Sequence, residues 1–258
     1  MISVTSAQLD AWIMLIAWPL TRILALIASA PFTGNQQFPG TAKIGLAVLL
    51  TILVAPTLPA APSVSPASAH GLLLLVRELL LGVAMGLAMR AVMSAVSMAG
   101  DIIGLQMGLG FAQFFDPQNG SQVPVVGQFL TLLAMLVFLS INGHLMLLAT
   151  LVESFRGVPS EAPVSMATGA MALVQWGAII VQAAVHMSLP VVATLLITNS
   201  ALAVLTRASP QLNIFAIGFP VTLGIGFISI LLVLPYMVPG FERLFEQGLQ
   251  AMSRVAGR

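Results

Sequence analysis

Gly108-Leu-Gly-Phe-Ala-Gln-Phe-Phe-Asp-Pro-Gln-Asn-Gly-Ser-Gln122 lies between two long apolar runs and continues neither of them. Its glycines, proline and amide side chains make it unfit for a membrane helix. Phe111, Phe114 and Phe115 make it too apolar for an ordinary solvated loop. Backbone that is not helical is tolerated at membrane depth only where protein buries it or where it lines a wet cavity. The segment is therefore the first candidate for function, and the runs on either side of it decide the fold class.

Those runs dominate the 258-residue chain. Hydrophobic residues make up 59% and charged residues 7%, and the mean hydropathy is +1.04. A water-soluble domain carries roughly 25% charged residues, so this composition argues for a membrane protein. At about 20 residues per crossing, the chain has room for several spans. A net charge of +1, with nine Lys and Arg scattered along the chain, leaves no concentrated basic face for a nucleic acid. The absence of cysteine removes disulfides, thiolate metal sites and thiol nucleophiles together.

The expected architecture is all-α, with about six apolar helices, several of them kinked by proline. The first run covers Leu9 to Ala30, with Pro19 and Arg22 inside it, and no basic n-region of a cleavable leader precedes it. A second covers Lys43 to Leu58, followed by a Pro/Ala/Ser-rich linker to His70. The third, Gly71 to Met107, is longer than one crossing needs. A fourth is expected over Val123 to Val152, a fifth over Met166 to Leu205 with Pro190 as an interruption, and a sixth over Ile214 to Val238. Phe241, Leu244, Phe245, Leu249 and Met252 then recur at helical spacing, which predicts a separate amphipathic surface tail over residues 241–258.

Three groups of residues stand out. Gly100, Gly104 and Gly108 follow one another at intervals of four, with Gly82 and Gly86 as a second pair upstream. Such spacing gives one helix a smooth face against which another backbone can pack; frequent glycine in an apolar helix is the plainer reading. Arg77, Glu78 and Arg90 lie within or near the third run. A charge at the bilayer centre costs roughly 2.5–3.5 kcal/mol on insertion scales. Each should therefore pair, face a partner or border water, or else reach to the headgroups. Adjacent residues point about 100° apart on a helix, so Arg77 and Glu78 are expected to pair across an interface and not with each other. Arg90 is too deep in the run to snorkel easily.

In the opening segment, Gly108 and Gly110 permit a sharp turn and Asp116-Pro117 initiates one. Phe111, Phe114, Phe115 and Met107 are bulky and deformable enough to close a narrow channel by excluding water. The competing reading is a hairpin turn with its phenylalanines at the membrane interface. His70, His144 and His186 fall in different segments without partners at metal-ligand spacing. Signatures of zinc peptidases, serine hydrolases and phosphate-binding loops are absent. An enzyme is not expected, nor is a cofactor.

Three stretches, Gly100 to Pro117, Phe138-Leu-Ser-Ile-Asn-Gly-His144 and Arg207-Ala-Ser-Pro-Gln-Leu-Asn-Ile-Phe-Ala-Ile-Gly-Phe-Pro220, resemble in order the signatures of the FliR family of flagellar type III export-gate proteins. The resemblance implies a core gate subunit assembled with FliP and FliQ and with other membrane proteins of the export apparatus. Unfolded flagellar subunits would cross the bacterial inner membrane through the assembled pore. It also implies a FliP-like part over residues 1–152, a connecting loop over 153–165, a FliQ-like helical hairpin over 166–240 and the tail. Much of the assembly is expected on the periplasmic side. On the same resemblance, residues 108–122 form a plug, with Phe111, Phe114 and Phe115 as the occluding side chains. A secondary transporter of small solutes is the alternative, although the two matching repeats typical of that class are not found in this chain.

Overall fold

The computed structural model describes residues 5–34, 39–58, 62, 64–111, 124–157, 166–209 and 214–257. Among these residues the chain is all-α. Its helices are α1 (Ser6–Ser29), α2 (Gly40–Val54), α3 (Ala69–Gln106), α4 (Val125–Ser140), α5 (Gly143–Gly157), α6 (Met166–Ala208) and α7 (Ile214–Val255), with short 3-10 turns at Ala55–Thr57 and Leu109–Phe111. Local chemistry explains where they begin. Thr5 caps α1 reciprocally: its hydroxyl accepts from the Gln8 amide at 3.4 Å, and the Gln8 side chain accepts from the Thr5 amide at 3.1 Å. Ser68 accepts from the Gly71 amide at 3.0 Å at the start of α3, after which no proline interrupts the chain until Pro117.

Among the described residues, five helices are long and apolar enough to cross a membrane, and the bent pair α4–α5 makes a sixth candidate span. The chain is a multi-pass membrane protein. At about 1.5 Å per residue, α3, α6 and α7, of 38, 43 and 42 residues, are each about twice as long as the ~30 Å hydrocarbon core is thick. Large apolar side chains point outward along them, including Val174, Ile197, Leu231 and Tyr236. In water that surface would be a liability; in a bilayer or against other subunits it is the expected exterior.

Three expectations are corrected. The run from Val123 to Val152 is not one helix. It breaks at Ile141–Asn142, where Asn142 adopts φ 56°, and α4 and α5 meet at 68°. Asparagine tolerates the left-handed region better than other non-glycine residues, and the Asn142 carbonyl accepts from the amides of Leu145 and Met146 to start α5. Pro190 does not interrupt α6, and the last helix does not end at Val238 but runs unbroken past Pro235 and Pro239 to Val255. Proline inside a membrane helix is tolerated when neighbours re-satisfy the freed carbonyl. The apolar face of residues 241–252 is accordingly covered by the chain itself: Phe241, Leu244, Phe245, Leu249 and Met252 are all buried.

The chain divides into two compact units. One comprises residues 1–91, 142–177 and 246–258. Its core holds Met14, Trp18, Ile23, Leu26, Met85, Leu151 and Phe155, and Trp176 ties α6 to α3 by donating to the Ala88 carbonyl at 2.8 Å. The other comprises residues 92–141 and 178–245. Its core is built on Val96, Ile103, Met107, Leu130, Leu195 and the Phe138–Phe245 ring contact at 4.9 Å.

Candidate functional site

The Gly/Phe segment is held at both of its roots. On the upstream side α3 ends as its last amides bond normally, the Met107 amide donating to the Ile103 carbonyl at 2.9 Å. Gly108 then turns the chain at φ 84°, a region where a side chain would cost roughly 1–2 kcal/mol. Met107 itself is fully buried. Its carbonyl accepts from the Thr222 hydroxyl of α7 at 3.3 Å. Its side chain lies over Gly226, one helical turn further on, where an added methyl would come within 2.6 Å of Cγ and 2.9 Å of Sδ. Thr222 and Gly226 thus form a socket in α7 for the residue immediately before the turn.

On the downstream side, α4 returns against α3. A methyl on Gly100 would collide with the backbone of Val126 and Gly127, reaching 2.5 Å from the Gly127 nitrogen. A methyl on Gly127 would strike the Asp101 carboxylate and come within 2.9 Å of the Ser97 carbonyl. The two glycines let the helices touch through backbone alone, the close approach that small residues permit in membranes. Gly104 differs: its neighbours, Leu109 and Val126, stand 3.7–3.9 Å from where a methyl would be. A methyl on Gly110 would stand 3.3 Å from Leu105 Cδ2. Phe114, Phe115, Asp116 and Pro117 lie outside the described residues, as does the side chain of Phe111.

Further along α3, Gly82 and Gly86 receive α1. A methyl on Gly82 would meet the Arg22 carbonyl and, at 2.7 Å, Ala25 Cβ; one on Gly86 would meet the Ser29 side chain and the Ala30 nitrogen at 3.0 Å. This approach presses Arg22 against α3. Its Nε donates to Glu78 Oε2 at 2.5 Å with neither side chain exposed. Arg22 Nη1 donates to the Ser154 hydroxyl of α5 at 3.0 Å, and Ser154 donates onward to the Leu151 carbonyl at 2.6 Å. The guanidinium also stacks 4.1 Å from the centre of the Phe155 ring, whose other neighbour is Trp18, edge-on at 5.3 Å.

The charged residues singled out in the sequence therefore part company. Glu78 is buried and paired within the chain, where its Oε2 accepts from Arg22 Nε of α1. Arg77 is half-buried and Arg90 is exposed on α3. Arg22 was visible as a charge inside the first apolar run, yet nothing local linked it to Glu78. Thr222, Gly226 and Gly127 carried still less signal, since hydroxyls and glycines are common in apolar helices.

Among the described residues, no group of three His, Asp or Glu could hold a metal. What these arrangements do is hold helices and loop roots in place.

Comparison with known proteins places the chain in a family. Residues 13–248 match the family model of bacterial export proteins, family 1. A flagellar biosynthetic protein FliR of Pectobacterium carotovorum is 41% identical over 248 residues, covering 96% of this chain and 94% of that protein. That of Escherichia coli K12 is 41% identical over 247 residues, with the same two shares, and that of Bacillus subtilis is 30% identical over 243 residues, 90% of each chain. These relatives are named flagellar biosynthetic proteins, and the matching family model is one of export proteins. The chain belongs to family 1 of the bacterial export proteins, the FliR family of flagellar export proteins.

Proposed function

We propose that this chain is a core membrane subunit of the flagellar type III export gate. With FliP and FliQ it forms the pore through which unfolded flagellar subunits cross the bacterial inner membrane, and residues 108–122 close that pore at rest. Full-length similarity to flagellar FliR proteins supports the gate assignment. The observation that carries the plug is the fixing of both roots of the segment. A loop that seals a pore must return to one position after each passage, and here the chain leaves through a socketed Met107 and a left-handed Gly108. It re-enters beside the Gly100–Gly127 backbone contact. An interfacial turn needs no such anchoring.

In this reading Phe111, Phe114 and Phe115 exclude water from the constriction by the physics of hydrophobic gating. The FliP-like part covers residues 1–152 and the FliQ-like hairpin residues 166–240. Helices about twice as long as the hydrocarbon core suit an assembly raised toward the periplasm. Unpaired apolar faces on α6 and α7 would meet FliP and FliQ.

The test is a leak measurement. Replacing Phe111, Phe114 and Phe115 together by Ala, or deleting residues 110–119, should raise ion conductance of membranes carrying the assembled, resting gate. Wild-type conductance with the complex intact would refute the plug. Failure of the chain to co-purify with two other small membrane proteins would refute the gate.

A further inference from the structure

The Arg22–Glu78 pair is incomplete. Arg22 Nε and Nη2 share one edge of the guanidinium, the edge that usually grips both oxygens of a carboxylate. Here Nε takes Glu78 Oε2 and Nη1 is turned to Ser154. Arg22 Nη2 and Glu78 Oε1 are both buried without a partner among the described residues, and so is Trp18 Nε1 beside the same Phe155 ring. Buried charged atoms are hydrogen-bonded in nearly all proteins. A charged donor and a charged acceptor left unsatisfied at one junction would each bear the full penalty of desolvation.

The chemistry of the two atoms selects what completes them. Nη2 needs an acceptor and Oε1 needs a donor, so the occupant must do both. An anion would meet the Glu78 carboxylate, and a cation would meet the Arg22 guanidinium. Among the described residues no side chain bonds either atom. Water is the smallest neutral group with both functions, and buried waters typically make about three such bonds.

We propose that the junction of α1, α3 and α5 binds one water molecule that bridges Arg22 Nη2 and Glu78 Oε1, closing the pair into a ring. The hydrated pair, and not a dry one, pins α1 to α3 and α5. The inference is independent of the gate reading, since it concerns only residues inside one chain.

Synchrotron hydroxyl-radical footprinting tests it. Radicals made from a bound water label the side chains around it even where bulk solvent does not reach. The full chain, purified from membranes with whatever assembles on it, would be exposed in lipid nanodiscs and digested for mass spectrometry. Phe138 and Phe245 are as deeply buried as Phe155 but touch each other in an apolar core, so they are the internal control. Labelling of Trp18 and Phe155 should be severalfold above that of Phe138 and Phe245. Equal labelling of the four rings would overturn the proposal. In an Arg22→Met, Glu78→Met double variant the excess should vanish; an excess that persists would also overturn it. If that variant fails to fold, the wild-type comparison decides alone.

Discussion

Gly100 and Gly127 meet with only backbone between them, so that α3 and α4 pack at the root of the Gly/Phe segment without an intervening side chain. A methyl at Gly100 finds fixed backbone and cannot be accommodated by a rotamer change. Gly100→Ala should therefore lose stability by about 1–3 kcal/mol through overpacking, outweighing the ~1 kcal/mol that alanine gains over glycine in a helix. Gly104→Ala, with neighbours at ordinary contact distance, should be neutral or stabilising. Thermal unfolding of the two variants in detergent distinguishes them; equal midpoints would mean that the contact is not where the glycines place it.

Arg22 and Glu78 form the second pin, and its energetics are asymmetric. Removing one partner strands the other as an uncompensated buried charge, which costs about 3–5 kcal/mol. Replacing both with apolar groups of similar size is often close to neutral. Glu78→Met and Arg22→Met should each reduce folded yield severely, while the double replacement recovers most of it. Arg22→Lys should not rescue, because an ammonium has no planar fork to bond Glu78 and Ser154 while stacking on Phe155. The assay is the monodisperse fraction in fluorescence-detected size-exclusion chromatography after heating. Additive losses in the double variant would rule out the pairing.

The sequence made this class of molecule legible and left its pins largely hidden, for a physical reason. Apolar runs report that a residue is out of water but not which helix it faces. Membrane helices bury residues against protein and lipid alike, so periodicity weakens as a guide. Arg22 and Glu78 each signalled an expense that had to be met, yet their pairing is a tertiary fact. Gly82, Gly86 and Gly100 stood out by spacing, and α1 and α4 approach closely at them. Gly104 shares the spacing without the close approach. The sixth run is expected to end at Val238, yet the helix continues past Pro235 and Pro239 to Val255, since proline is tolerated where neighbours bond the freed carbonyl. Phe114, Phe115, Asp116 and Pro117, the most distinctive residues in the sequence, lie beyond the described ones.

Met107 and Gly226 form a contact that a double-mutant cycle can isolate. Gly226→Ala should destabilise by about 1–3 kcal/mol, since the new methyl overlaps the Met107 side chain. In a Met107→Ala background that clash is gone, and the same substitution should cost little or nothing. Unfolding midpoints of the four proteins give the coupling energy, expected within the ~0.5–3 kcal/mol seen for touching residues. No coupling would show that Met107 does not sit in the α7 groove.

Asn142 sets the bend between α4 and α5, and its φ of 56° gives a signed expectation. Asn142→Gly should be tolerated, because glycine adopts the left-handed region without strain. Asn142→Val should cost at least 1–2 kcal/mol, roughly the left-handed penalty for a residue with Cβ. A thermal shift for valine with none for glycine identifies the backbone angle as the cause; an equal shift for both would point to the side-chain amide.

Arg90 is exposed on α3 within a candidate span, where lipid would make a charge cost roughly 2.5–3.5 kcal/mol. Its exposure in the single chain is what a partner-facing or water-facing residue must show before assembly. If a partner subunit supplies an anion or carbonyls for it, Arg90→Leu should leave the amount of membrane-inserted chain unchanged while lowering recovery of the hetero-oligomer on a native gel. Arg90→Lys should recover part of that loss, since it keeps the charge but not the planar fork. An unaltered complex with leucine would instead assign the side chain to the headgroup region, where charge contributes nothing to subunit contact.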